Sequence, residues 1–280
     1  MAAMMSHLPV RLWTWSSGGL AASPRRWPSL DAQSLDLPDG VYTTLRTYGG
    51  TRIVGLVDHL RRLADSARLI DIRYALDLAW LRDGLRRVLM AAGHPEARLR
   101  ITVPRTANQT LFGVEPFLPY PEHLYSAGAD STTSCLARVN PLAKTTHFIP
   151  SASEARAGLD PRVHELLLVD DSGRILEGSS SNFFAVLDGE LRTASAGVLL
   201  GVTRSIVLRL AAELMPVHEE AIRLPDLPRC PEAFITSSSR EVMPVVRVDD
   251  MPVGDGRPGP VTRDLMRRYR EHLLELAESP

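Results

Sequence analysis

The run GVYTTLRTYGGTRIVGL, residues 40–56, alternates β-branched and aromatic residues around Gly49-Gly50, which predicts a hairpin closed by a tight turn. Beyond it the period changes. Asp58 can cap a helix through HLRRLADSARLI, in which Leu60, Leu63 and Ala67 fall on one stripe. A second amphipathic helix is predicted over LDLAWLRDGLRRVLMAAG, stopped by Gly93 ahead of Pro95, and ARLRITVPR then reads as a strand. The first third of the chain is expected to be a compact unit of helices and strands.

Prolines cluster in VEPFLPYPEHLYSAG, residues 114–128, and break both periods, so the connection between two domains is expected there. Strands follow closely: HELLLVD, RILEG, NFFAVLD and ELRTA, with Ser172-Gly173 and Asp188-Gly189 as hairpin turns. A helix runs from Thr203 through SIVLRLAAELM, strands AFITSS and VMPVVRVD come next, and TRDLMRRYREHLLELAE forms the last helix. There is no internal repeat and no low-complexity tract. The expected class is α+β, with a small N-terminal domain over 1–117, an interdomain loop over 118–128 and a larger C-terminal domain over 129–280.

Composition narrows the function. At 280 residues, 44% hydrophobic and 23% charged, the chain can bury sizeable cores. A formal net charge of −1 gives no general attraction to nucleic acid or anionic membrane. Cys135 and Cys230 lack CxxC or Cys/His spacing, so neither a disulfide framework nor a metal site is indicated. The opening MAAMMSHLPVRLWTW does not have the layout of a signal peptide, and no stretch approaches the roughly 18 apolar residues of a membrane span. A cytoplasmic protein is expected.

Lys144, in NPLAKTTHF, is the single lysine; the rest of the 32 Lys and Arg residues are arginine. Codon preference could leave one lysine behind by chance. The chemical reading is that a guanidinium stays charged at working pH, whereas a desolvated amine can lose its proton and attack a carbonyl. The small and apolar neighbours Pro141, Leu142, Ala143, Thr145 and Thr146 favour a buried amine over a solvated helix face. Glu177, in LEGSSSNFF, ends a strand and reads either as a surface carboxylate or as part of a site. In LLGVTRS a glycine leads into a helix whose first turn holds Thr203, so N–H groups and a hydroxyl converge as an anion site does. ITSSSRE sets hydroxyls at the end of a strand, and Arg62 in HLRRL is either a phosphate clamp or the polar side of its helix.

Taken in order, DGVYTTLRTYGG, HLRRLADSA, the lysine, LEGSSSNFF, LLGVTRS and FITSSSREVMPV resemble the class IV, or fold type IV, pyridoxal-phosphate enzymes. That group includes branched-chain aminotransferases, D-amino acid aminotransferases and aminodeoxychorismate lyases. The resemblance spans nearly the whole chain and implies the two-domain D-amino acid aminotransferase-like fold, pyridoxal 5'-phosphate as cofactor, and a homodimer acting on small amino acids and 2-oxo acids. It implies that Lys144 is the Schiff-base lysine and that Glu177 meets the pyridine nitrogen. Arg62, Val202, Thr203, Ser238 and Ser239 would hold the phosphate. Tyr42 falls at the aromatic position of the substrate pocket, and Arg100 is the candidate carboxylate binder. His147 and Phe148 depart from the family pattern after the lysine; His147 reads as an acid–base group or as a ring packed against the cofactor or a carbonyl. The favoured activity is transamination of branched-chain L-amino acids by a ping-pong mechanism, with aminodeoxychorismate lyase and D-amino acid aminotransferase as alternatives. Outside the family stand a cofactor-free lysine aldolase and a non-catalytic binding protein.

Overall fold

A computed structural model describes residues 8–74 and 76–280. The reading of Met1–His7 as no part of a signal peptide lies outside the described residues. The chain divides into two compact units. The first comprises the residues up to Leu118 together with Ala143–Pro150 and Leu276–Pro280; the second comprises Pro119–Leu142 and Ser151–Glu275.

The first unit carries β1 (Val10–Ser16), β2 (Gly19–Trp27), α1 (Leu30–Leu35), β3 (Gly40–Tyr48), β4 (Arg52–Val54), α2 (Leu56–Leu69), α3 (Leu78–Ala92), β5 (Ala97–Pro104) and β6 (Thr110–Pro116). With β16 (Ala277–Glu278) from the far end of the chain, the described strands of this unit make a seven-stranded sheet in the order β16-β4-β3-β5-β6-β1-β2. The Gly49-Gly50 hairpin forms, with both glycines at positive φ (55° and 99°), a region where a Cβ is strained. Leu60, Leu63 and Ala67 of α2 and Leu81, Leu85 and Val88 of α3 pack on Leu45, Leu99 and Ile101 of the sheet as one buried core. Helix α2 begins ahead of the expected start: its cap is Gly55 in the left-handed conformation (φ 62°), and Asp58 lies inside the first turn, where a carboxylate suits the helix dipole. Asp77 caps α3 by accepting from the Ala79 and Trp80 N–H groups, and Gly93 (φ 66°) stops it as expected.

The second unit contains α4 (His123–Ser126), β7 (Ala129–Ser134), α5 (Phe148–Ala157), β8 (Val163–Val169), β9 (Ile175–Gly178), β10 (Asn182–Leu187), β11 (Glu190–Arg192), α6 (Val202–Ala212), β12 (Val217–His218), a 3₁₀ turn (Leu224–Arg229), β13 (Glu232–Ser237), β14 (Glu241–Val248), β15 (Met251–Pro252) and α7 (Pro260–Leu276). The first residues of α5 and the last of α7 belong to the first unit. Strand order is β12-β11-β10-β13-β14-β7-β8-β9, with β9 also pairing β10 at Glu177–Asn182. The pairings β14–β7 and β7–β8 are parallel, while β10–β13 and β13–β14 are antiparallel. Phe183, Ala185, Ile235, Met243 and Val245 form its core.

Two expectations about the domains are corrected. Residues 143–150 do not belong with the C-terminal unit, because Thr145 bridges Val41 and the Lys144 carbonyl accepts from the Tyr42 N–H at 2.9 Å, which adds this segment to the edge of β3. The expected loop 118–128 contains α4, whose Leu124 and Tyr125 are buried in the second core. Among the described residues no helix is long and apolar enough to cross a membrane.

Candidate active site

In the first unit the segment around Lys144 is fixed by main-chain bonds before its side chain is considered. Thr146 N–H donates to the Gly40 carbonyl, Gly40 N–H donates to Thr146 Oγ1, each at 2.9 Å, and Lys144 N–H donates to Ser66 Oγ at 3.1 Å. Gly40 is needed for the adjoining pairing, since a Cβ there would come within 2.0 Å of the Val103 carbonyl oxygen. Lys144 is half-buried, and its Nζ lies 4.8 Å from the centre of the Tyr42 ring. Tyr42, itself buried, also carries the Arg100 guanidinium 4.7 Å from its ring centre.

Arg100, the candidate carboxylate binder, is engaged with α1. Its NH1 donates to Leu30 O (3.0 Å) and Ser34 Oγ (2.6 Å), and its NH2 donates to Asp31 Oδ1 (2.8 Å). With 4% exposure and those donors committed to α1, it ties that helix to β5 and supports the Tyr42 ring. His147 is exposed, whereas Phe148 is buried.

Arg62 projects from α2 toward β3. Its NH2 donates to Thr43 Oγ1 at 3.2 Å and lies 3.4 Å from His59 Nδ1; Thr43 Oγ1 and His59 Nδ1 are 2.9 Å apart. Burial, reinforced by the positive charges of Arg62 and Lys144, holds the His59 pKa well below the usual imidazole value, so the ring is neutral at physiological pH. His59 was not singled out from sequence. The signal was present: it stands three residues before Arg62 on one helix, a spacing that places both on one face.

In the second unit Glu177 is 2% exposed and accepts from three donors. Its Oε1 accepts from Arg138 Nε at 2.7 Å, and its Oε2 accepts from the Leu199 N–H (3.1 Å) and from Asn182 Nδ2 (3.4 Å). Arg138 also donates to the Ser179 carbonyl at 3.0 Å. The surface-carboxylate reading of Glu177 is thereby excluded. Asn182 Nδ2 donates to Leu199 O (2.7 Å), and a Cβ on Gly201 would come within 2.2 Å of Asn182 Oδ1. The glycine before α6 is therefore what lets the Leu199–Gly201 turn close on Glu177's partner. No side chain caps α6 at Gly201, and buried Val202 and Thr203 open its first turn.

Below the Ser179–Ser181 loop, Glu165 accepts from the hydroxyls of Ser179 (2.7 Å), Ser180 (2.9 Å) and Ser181 (2.7 Å), from the Leu166 N–H (2.9 Å) and from Arg240 NH1 (3.3 Å). Burial alone would raise its pKa, but Arg240 and these donors overcome burial and hold the carboxyl below its ordinary range. Because Arg240 follows Ser238 and Ser239, one carboxylate fixes both the loop after Glu177 and the hydroxyl turn after β13. Sequence inspection had no means of finding Glu165, which sits in an apolar strand pattern. Among the described residues no group of His, Cys, Asp and Glu is arranged to hold a metal ion.

The amino-transferase class IV family model matches residues 40–248, which takes in β3, Arg62, Lys144, Glu177, the start of α6 and the Ser238-Ser239 turn. The chain belongs to the class IV aminotransferases. It is 30% identical to a Thermotoga maritima protein named probable branched-chain-amino-acid aminotransferase, over 87% of this chain and 89% of that one. It is 27% identical to a Bacillus licheniformis D-alanine aminotransferase, over 84% and 88%. A solved T.th. branched-chain amino acid aminotransferase with pyridoxamine 5'-phosphate superimposes with a TM-score of 0.79 at 26% identity, covering 96% of each chain. As a class IV aminotransferase with the fold type IV architecture, this chain is an enzyme that transfers amino groups.

Proposed function

We propose that this class IV aminotransferase uses pyridoxal 5'-phosphate to move the amino group of a branched-chain L-amino acid to a 2-oxo acid. The observation that carries the reading is the lone lysine, fixed by main-chain bonds to β3 and Ser66, in a chain matched to branched-chain aminotransferases over most of its length. The donor set suits the cofactor. The residues assigned to its phosphate are a guanidinium (Arg62), a helix start without a side-chain cap (Val202, Thr203) and two serines (Ser238, Ser239), with no carboxylate among them. Bound pyridoxal phosphate supplies the electron sink for a carbanion at the substrate Cα. Lys144 supplies a primary amine that can bond to an aldehyde and, once released, carry a proton to and from Cα; arginine can do neither. Glu177, paired with Arg138 and two N–H donors, is assigned to the ring nitrogen, whose protonation a neighbouring anion favours. Tyr42, stacked on Arg100, is assigned to the substrate pocket.

The second reading, a D-amino acid aminotransferase, is favoured by the similarity to the Bacillus licheniformis D-alanine enzyme. The proposed setting is a cytoplasmic homodimer. The deciding experiment is a panel of L- and D-amino acids with 2-oxoglutarate or pyruvate as acceptor, run beside an aminodeoxychorismate assay. The reading predicts fastest turnover with L-leucine, L-isoleucine or L-valine and parallel double-reciprocal plots. Dominant turnover of D-alanine, or pyruvate release from aminodeoxychorismate, overturns the substrate assignment.

A further inference from the structure

Arg62 is a donor-only group, so each atom it approaches must accept. Two of its contacts are to neutral acceptors, Thr43 Oγ1 at 3.2 Å and His59 Nδ1 at 3.4 Å. The approach of Arg62 calls for the His59 tautomer with an unprotonated Nδ1 and the ring proton on Nε2; in that tautomer the Thr43 hydroxyl, 2.9 Å from Nδ1, is the group that can donate to it. Thr43 and His59 are 0% and 2% exposed, so no solvent competes for these positions. A carboxylate in the same place would orient the guanidinium as firmly but would neutralise it. A hydroxyl and a neutral imidazole orient it without themselves offsetting its charge.

We propose that His59 is a positioning residue: its Nδ1, together with the Thr43 hydroxyl, aims the Arg62 guanidinium at a phosphate monoester. The proposal rests on the assignment of Arg62 to the cofactor phosphate made above. The competing account is that His59 is only a satisfied core side chain of α2, in which case replacing it disturbs everything that depends on the first unit alike.

The test separates the two by the ligand's phosphate. Full-length protein freed of cofactor is titrated with pyridoxal phosphate and with pyridoxal, which lacks the phosphate, and binding is followed by absorbance. His59→Leu is expected to weaken pyridoxal phosphate by roughly tenfold to a hundredfold, the range for losing a hydrogen bond to a charged group, with pyridoxal changed less than about twofold. His59→Asn, whose Oδ1 can replace Nδ1 as acceptor, recovers most of the affinity. Thr43→Val, close in volume and lacking the hydroxyl, reproduces the selective loss and serves if the leucine variant does not fold. Equal losses for both aldehydes, or an unchanged preference for the phosphorylated one, overturn the proposal while the cofactor assignment stands. Wild-type protein that binds neither aldehyde overturns the cofactor assignment and this proposal with it.

Discussion

Arg138 Nε donates to Glu177 Oε1 at 2.7 Å, with the two side chains only 5% and 2% exposed. Two buried charges offset their desolvation only when geometry is good and other donors fill the remaining lone pairs. Both conditions hold here, because Leu199 N–H and Asn182 Nδ2 take Oε2 and Arg138 has a second acceptor in Ser179 O.

Removing the cation should therefore cost more than removing both charges. Arg138→Met is expected to destabilise the protein by about 3–5 kcal/mol, the range for a buried ion left without its partner. Arg138→Met combined with Glu177→Gln should be less destabilised than Arg138→Met alone. Urea unfolding of wild type, both single variants and the double variant checks this, and strictly additive losses would count against the coupling.

Gly201 has φ −71° and ψ 144°, a conformation open to any residue, so its requirement is purely one of space. A methyl group at that position meets Asn182 Oδ1 at 2.2 Å, and Asn182 holds both Leu199 and Glu177. Gly201→Ala is expected to cost about 1–3 kcal/mol by overpacking. Adding Asn182→Ala should relieve the clash, so the double variant should be more stable than the sum of the single losses allows. Thermal or urea melts of the single and double variants decide it.

The elements readable in advance were those whose burial follows a simple period. The leucine stripe of α2, the Gly93 stop of α3 and the apolar run of β10 carry their own signals. Strand β7, ADSTTS, does not: its Ser131 is buried while Thr132 and Thr133 bond Asp249, so long-range pairing with β14 and β8 makes it a strand. The same distinction holds at the site. Lys144 and Glu177 stand out by type and by motif, but Arg138 lies 39 residues from its partner in an unpatterned loop, and only the fold brings them together. The contacts of Arg100 with α1 are equally hidden, since its sequence position says nothing of the helix that accepts from NH1 and NH2.

Lys144 can be tested against the one substitution that keeps charge and length. The main-chain bonds that hold its segment, to Tyr42, Ser66 and Gly40, do not involve the side chain. Lys144→Arg is thus expected to fold with little change in melting temperature. Turnover should fall by about a thousandfold, and pyridoxal phosphate should no longer be fixed to the protein by borohydride. Retained borohydride fixation at undiminished rate would remove the lysine from its assigned role.

His59 makes a prediction that needs no cofactor. Its pKa is depressed, by burial first and then by Arg62 and Lys144, below an ordinary value of 6.5. A group with a lowered folded pKa binds fewer protons folded than unfolded between the two values, so its contribution to stability is complete above pH 6.5 and is lost as pH falls toward the folded pKa. Full titration of one proton gives a slope of about 1.4 kcal/mol per pH unit. His94 and His164 are shifted the same way, each by burial first and then by a neighbouring arginine (Arg11 and Arg240), so the wild-type curve alone is a composite. The informative quantity is the difference between wild type and His59→Asn, which cannot titrate. Unfolding free energies measured from about pH 8 down to about pH 5 should converge as the pH falls, because wild type loses the His59 contribution and the variant has none to lose. Parallel curves through that window would mean that the imidazole titrates as an ordinary solvated group, and the acceptor role of Nδ1 beside Arg62 would fall with it.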